Sequence, residues 1–203
     1  MPTIYDLKPR FQALLRPPTR ALAAAGVTAN QVTVAAAVLS LAAGGAIAVR
    51  PDARWPLLLI PVVLFLRMAL NAVDGLLARE HGMRSRLGAL LNELGDVISD
   101  SALYLPLALV PGVAAMLVVP AVVLGVIAEM TGVVAVQIGA ERRYDGPMGK
   151  SDRAFAFGTA TLLLGLGVAP GLWLDLLLIL ILVLLLLTIV NRGRGALAGG
   201  GPR

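Results

Sequence analysis

The chain has 203 residues, 58% of them hydrophobic and 14% charged, with a net charge of +5 and no cysteine. Soluble domains carry about 45–50% apolar and about 25% charged residues, so both fractions are displaced toward a chain dissolved in lipid. The composition excludes disorder, a disulfide-stapled secreted fold, a thiolate metal site and a cysteine nucleophile. A pI near 10.4 raises the question of nucleic acid, which the placement of the basic residues has to answer.

The first 29 residues are polar and basic by comparison with the rest. Ile4, Leu7, Phe11, Leu14 and Leu15 recur at three- and four-residue spacing between Lys8, Arg10 and Arg16. This predicts an amphipathic interfacial helix within residues 1–20, stopped by Pro17-Pro18; a solvated basic tail is the plain alternative. Ala29 to Val49 is free of charge and long enough to span. Ala46-Ile47-Ala48 resembles a signal cleavage site, but the region before it is too long for a signal peptide and further apolar spans follow. Five more spans are predicted at Trp55–Ala78, Leu87–Val110, Ala114–Ile138, Ala154–Val168 and Leu172–Val190, with Pro111-Gly112 and Pro170-Gly171 as turns. The expected architecture is an all-α integral membrane protein forming one domain over 1–203. It comprises the interfacial helix, a six-helix bundle over 29–191 and a flexible tail over 192–203.

Charge placement orients this map. Of 17 Lys and Arg residues, 14 precede span 1 or follow spans 2, 4 and 6, against Arg50 and Arg54 on the other side and Arg67 inside span 2. The positive-inside rule then expects both termini in the cytoplasm, and Trp55 and Trp173 fall at outer ends as belt residues. The basic excess is topological, so no nucleic-acid partner is needed.

Charged residues inside spans are costly and usually face the bundle interior for a reason. Span 2 carries Arg67, Asn71 and Asp74 and ends at Arg79; span 3 carries Asn92, Glu93, Asp96 and Asp100. Asn71 and Asp74 share a face at i, i+3, and Asn92, Asp96 and Asp100 share one at i, i+4. Measured from the loop, Asp74 and Asn92 lie about 8–9 Å deep and Asn71 and Asp96 about 12–15 Å. If the faces turn toward each other, four oxygen-bearing side chains meet below the cytoplasmic surface, as magnesium or manganese would require. Gly75, Ala78 and Gly88 leave room for close approach, and Arg79 and Ser85 could bind phosphate. The plain reading of these small and polar residues is helix packing.

The run Asn71-x2-Asp74-Gly75-x2-Ala78-Arg79-x8-Gly88-x3-Asn92-x3-Asp96 resembles the signature D-x2-D-G-x2-A-R-x8-G-x3-D-x3-D of the CDP-alcohol phosphotransferases, with Asn at the first and third Asp positions. Asn30-Gln31-Val32-Thr33, preceded by Ala29, resembles the family's P-N-x-x-T element. The resemblance implies a membrane enzyme of phospholipid biosynthesis that moves a phosphoalcohol from a CDP-linked donor such as CDP-diacylglycerol to a small alcohol or phosphoalcohol, releasing CMP. It would make Asp74 a metal ligand and Asp96 both ligand and general base, with Asn71 and Asn92 completing the set. Asn30, Thr33, Gly75, Ala78, Arg79, Ser85 and Gly88 would hold the CDP portion. The implied cofactor is Mg2+ or Mn2+, and with two formal charges missing one ion is better supported than two. The implied location is the inner membrane, multi-pass, with the site facing the cytoplasm; homodimers are common in the family.

Three further features stay open on the sequence. Asp100 could restore charge to the metal site, although it lies about 21 Å deep and an interhelical hydrogen bond is the plain reading. Lys150 and Arg153 could receive a phosphate or simply anchor span 5. Arg67 and Glu129 could pair with each other, and His81 reads as solvated. The alternatives to an enzyme are a catalytically silent relative that binds lipid nucleotide or scaffolds a partner, and a small transporter.

Overall fold

The computed structural model describes the backbone of residues 4–199 and the side chains of residues 11–199. Residues 1–3 of the expected interfacial helix, the side chains of Ile4, Leu7, Lys8 and Arg10, and residues 200–203 of the expected tail lie outside the described residues. The described chain is helical: α1 (Ile4–Ala24), α2 (Ala29–Val49), α3 (Trp55–Glu80), α4 (Arg86–Tyr104), α5 (Ala115–Val134), α6 (Lys150–Gly165) and α7 (Leu172–Gly199), with 3₁₀ turns at Leu105–Leu109 and Ala135–Ile138. Four of these stretches are long and apolar enough to cross a membrane: α2, α3, the run Ala115–Ile138 and α7. The helices α4 and α6, expected as spans, are 19 and 16 residues long.

Two compact units divide the chain, one from residues 1–42 and 62–99, the other from 43–61 and 100–203. In the first, Ala29, Val32, Val73 and Leu77 form a buried core against which Leu15, Leu22 and Ala23 of α1 pack. This packing corrects the expected end of α1, which runs through Pro17 and Pro18 to Ala24. Each proline removes one i→i−4 bond. The helix survives because apolar contacts hold it on both sides of the pair, and because the buried Thr19 hydroxyl donates to Leu15 O at 2.7 Å. It closes at Gly26, whose φ of +78° suits glycine. There the N–H groups of Gly26 and Val27 donate to Ala23 O and Leu22 O, both at 3.0 Å.

A reciprocal cap starts α2. Thr28 N–H donates to Gln31 Oε1 at 2.9 Å, and Gln31 N–H donates to Thr28 Oγ1 at 3.3 Å. At α4 the Ser85 hydroxyl accepts from Gly88 N–H at 2.9 Å. These caps set the helical phase of the polar residues that follow them.

In the second unit α5 packs along α7, and the rings of Tyr104 and Phe157 stack with centroids 4.2 Å apart. Gly44 is needed for close approach: a methyl there would lie 1.8 Å from Ala102 O. The third and fourth expected spans end in 3₁₀ turns rather than continuous α-helix. Pro106 explains the first, since it cannot donate the next helical bond. The expected tail is also corrected, because α7 continues to Gly199. Arg192 is buried and bonded rather than solvated, which ties the added turns to the unit.

Candidate active site

The stripe of polar residues on α3 meets α4 and α2 within the first unit. Arg67, Asn71 and Asp74 step by four and three residues, so one face of α3 carries all three. From that face Asn71 Nδ2 donates to Asp96 Oδ1 at 3.3 Å. Arg67 Nη2 donates to the same oxygen at 3.4 Å and to Asp96 main-chain O at 3.3 Å. On α2, the Thr33 hydroxyl donates to Asp74 Oδ2 at 2.8 Å. Arg67 is only 3% exposed and Asp74 7%, whereas the Asp96 side chain is 25% exposed. The buried members orient a more accessible carboxylate.

The residues expected around the donor nucleotide converge in part. A methyl on Gly88 would lie 2.7 Å from Asn30 Oδ1 and 3.0 Å from Ser85 Oγ, so the bare backbone of α4 admits both side chains. A methyl on Gly75 would lie 3.0 Å from Arg79 Nη1, which places the Arg79 guanidinium over Gly75. Ala78 packs on the core cluster of this unit. Ser85 serves α4 as its cap, which leaves its hydroxyl proton to donate elsewhere. Asn92 is half-buried one turn before Asp96. His81 is exposed.

Two carboxylates and two amides present hard oxygens of the kind that hold magnesium or manganese. Among the described residues no three His, Asp or Glu side chains gather as a metal cage.

The second unit gathers different charges. Arg153 Nη2 donates to Asp100 Oδ2 at 2.9 Å and to Glu129 Oε1 at 3.1 Å. Glu129 also faces Arg192 Nη1 at 3.5 Å and Arg142 Nη2 at 3.6 Å. Arg192 further donates to the main-chain oxygens of Ala128 and Asp145. Arg67 bonds Asp96, and Glu129 faces Arg142, Arg153 and Arg192. Asp100 is bonded by Arg153 at 2.9 Å. At the start of α6, Asp152 Oδ2 accepts from Gly149 N–H at 2.9 Å and fixes the first turn, where Lys150 and Arg153 sit. Sequence reasoning missed Arg67 as the partner of Asp96, and Arg142 and Arg192 as partners of Glu129. The available signal was their position within or at the edge of apolar segments, where an unpaired charge is costly.

Long apolar helices and a polar hairpin of hard oxygen donors define an all-helical membrane protein with a built hydrophilic site. The profile of the CDP-alcohol phosphatidyltransferases matches residues 26–192, and the chain belongs to that family, transferases of phospholipid biosynthesis in the membrane. It is 51% identical over 158 residues to the inner membrane protein YnbA of Escherichia coli K12, covering 77% of each chain. Its fold is similar to the phosphatidylinositol phosphate synthase PgsA1 of Mycobacterium tuberculosis. The structure of that enzyme with CDP-DAG bound has a TM-score of 0.79 at 22% identity, with 93% of this chain and 96% of that one covered. Its complex with manganese and citrate gives 0.78 at 22% identity, covering 92% and 90%.

Proposed function

We propose that the protein transfers a phosphoalcohol, the phosphatidyl group, from a CDP-linked lipid to a small alcohol or phosphoalcohol and releases CMP. One observation carries this reading. The signature residues of α3 and α4 are joined in space through Asn71 and Asp96, while Asp74 is held by Thr33. The likeness to a fold that binds CDP-DAG and manganese elsewhere supports it.

In the reaction, the acceptor hydroxyl oxygen bonds to the phosphatidyl phosphorus as the bond from that phosphorus to the bridging oxygen of CMP breaks. CMP leaves with the electron pair, and Asp96 takes the proton of the attacking hydroxyl. Asn71 and Arg67 hold Asp96 in position for that transfer. Arg79 over Gly75, with Asn30 and Ser85 against Gly88, receives the nucleotide and its phosphates. Asp74, Asp96 and the amide oxygens of Asn71 and Asn92 would hold one magnesium or manganese ion, which supplies positive charge to the leaving phosphate. The placement of basic residues supports six spans in the inner membrane, α1 at the interface and the site on the cytoplasmic side.

The test is CMP release by the purified protein in lipid nanodiscs, given CDP-diacylglycerol with Mg2+ or Mn2+ and glycerol 3-phosphate, inositol phosphate, inositol or serine. Release with at least one acceptor, abolished in Asp96→Ala, is expected. No release above background with any acceptor would overturn the enzyme reading. It would favour instead a silent relative that binds lipid nucleotide, a reading to which the two Asn positions lend weight.

A further inference from the structure

We infer that a cavity among the loops of the second unit binds one membrane aminophospholipid, its phosphate at Arg54 and its ammonium at Asp52. None of the cavity's residues belongs to the candidate active site, so lipid binding here is independent of the transferase chemistry.

Segments 51–54, 110–111 and 167–170, all in the second unit, enclose a cavity of about 350 Å³. Ligand pockets have volumes of about 300–1,000 Å³. The walls are preformed. Ala53 N–H donates to Arg50 O at 3.1 Å, Gly167 N–H to Leu164 O at 3.0 Å, and Trp173 Nε1 to Ala169 O at 2.9 Å. Gly167 has a φ of +99°, and a methyl there would lie 2.7 Å from Arg54 Nη1. The Arg54 guanidinium therefore rests on bare backbone at the cavity wall.

The charged lining among the described residues is one arginine and one aspartate, Arg54 and Asp52. Among those residues neither forms an ion pair or a side-chain hydrogen bond. Two opposite charges thus line one cavity without neutralising each other, and a headgroup carrying both signs complements them. A lone phosphate would satisfy Arg54 but set its charge against Asp52. A primary ammonium suits Asp52 because it donates hydrogen bonds, which a quaternary ammonium cannot. The rest of the lining selects a lipid over a soluble ester, since Leu57, Val110 and Leu164 are buried apolar residues. Exposed Val168 and Leu166 carry the apolar surface outward for the acyl chains. Trp55, exposed and next to Arg54, and Trp173 mark this end of the helices as interfacial.

Native mass spectrometry of the full chain tests this, after delipidation in detergent and addition of equimolar phosphatidylethanolamine, phosphatidylcholine and phosphatidylglycerol. One phosphatidylethanolamine per chain is expected, retained in preference to the other two. Arg54→Gln should lower its retention about tenfold, the effect of losing one hydrogen bond to a charged group. Asp52→Asn should erase the preference over phosphatidylglycerol, because the phosphate keeps Arg54 while the ammonium loses its carboxylate. Both side chains are exposed, so the fold tolerates either change. Val168→Trp should also reduce retention, by filling the cavity without altering its charge. Equal retention of the three lipids by the wild type, unchanged retention in Arg54→Gln, or a preference that survives Asp52→Asn would each overturn the inference. Displacement of the lipid by equimolar glycerophosphoethanolamine would overturn it too, by giving the site to a soluble ester.

Discussion

The two units handle buried charge in opposite ways. In the first, Asp96 is approached at 3.3–3.4 Å by Asn71 and Arg67 and stays a quarter exposed. In the second, Arg153 is 3% exposed and bonds two carboxylates at 2.9 and 3.1 Å. Long, partly open contacts are easily exchanged for a ligand, while short enclosed ones stabilise the packing of helices that would otherwise carry uncompensated charge. The first arrangement is suited to chemistry and the second to holding a shape, although both are built from arginines and carboxylates in apolar helices.

This contrast can be broken from either side. The largest effect is expected at Asp96→Asn, which keeps the shape of the side chain but removes the proton acceptor. Transfer should fall by about 10²–10⁴-fold, a larger effect than the accompanying loss of thermal stability because the amide oxygen can still accept from Arg67; CMP release and an unfolding curve measure the two. Arg153→Met should reverse that pattern. Leaving Asp100 and Glu129 without their shared partner is expected to cost about 3–5 kcal/mol, read as a lowered unfolding midpoint in detergent.

Thr188→Val sharpens the comparison at a neutral group. Its hydroxyl accepts from Met148 N–H at 2.9 Å and donates to Leu184 O at 2.8 Å. Stranding the Met148 N–H should cost about 1–3 kcal/mol by the same unfolding assay. The smallest effect is expected at the half-exposed pair Arg16–Glu80, 3.2 Å apart. Arg16→Gln should change stability by less than about 1 kcal/mol, and that little should fade as salt rises.

Much of the helical layout was legible because apolar length and charge interruption are local properties of the chain. The expected limits of α2, Ala29 and Val49, match those observed, and α3 extends only to Glu80. The misreadings have a common origin in tertiary contact. Pro17-Pro18 reads as a stop until Leu15 and Leu22 are seen packed on the core of the first unit. Arg192 reads as the start of a tail until it is seen bonded to Asp145 and Ala128. In the site, depth along two helices correctly brought Asn71 level with Asp96, since rise per residue is fixed. The bond between Arg67 and Asp96 was not legible. Choosing between Asp96 and Glu129 requires knowing which helix faces turn together, and no local pattern carries that.

The central claim, that Asp96 and its neighbours move a phosphatidyl group, is tested most directly by following CDP-diacylglycerol with 31P NMR in the presence of Mg2+ and the acceptor panel. The expected result is loss of the two pyrophosphate resonances with matched growth of CMP and a new phosphodiester, in the wild type and not in Asp96→Asn. Persistence of the pyrophosphate signals in the wild type with every acceptor, or equal conversion by Asp96→Asn, would contradict it.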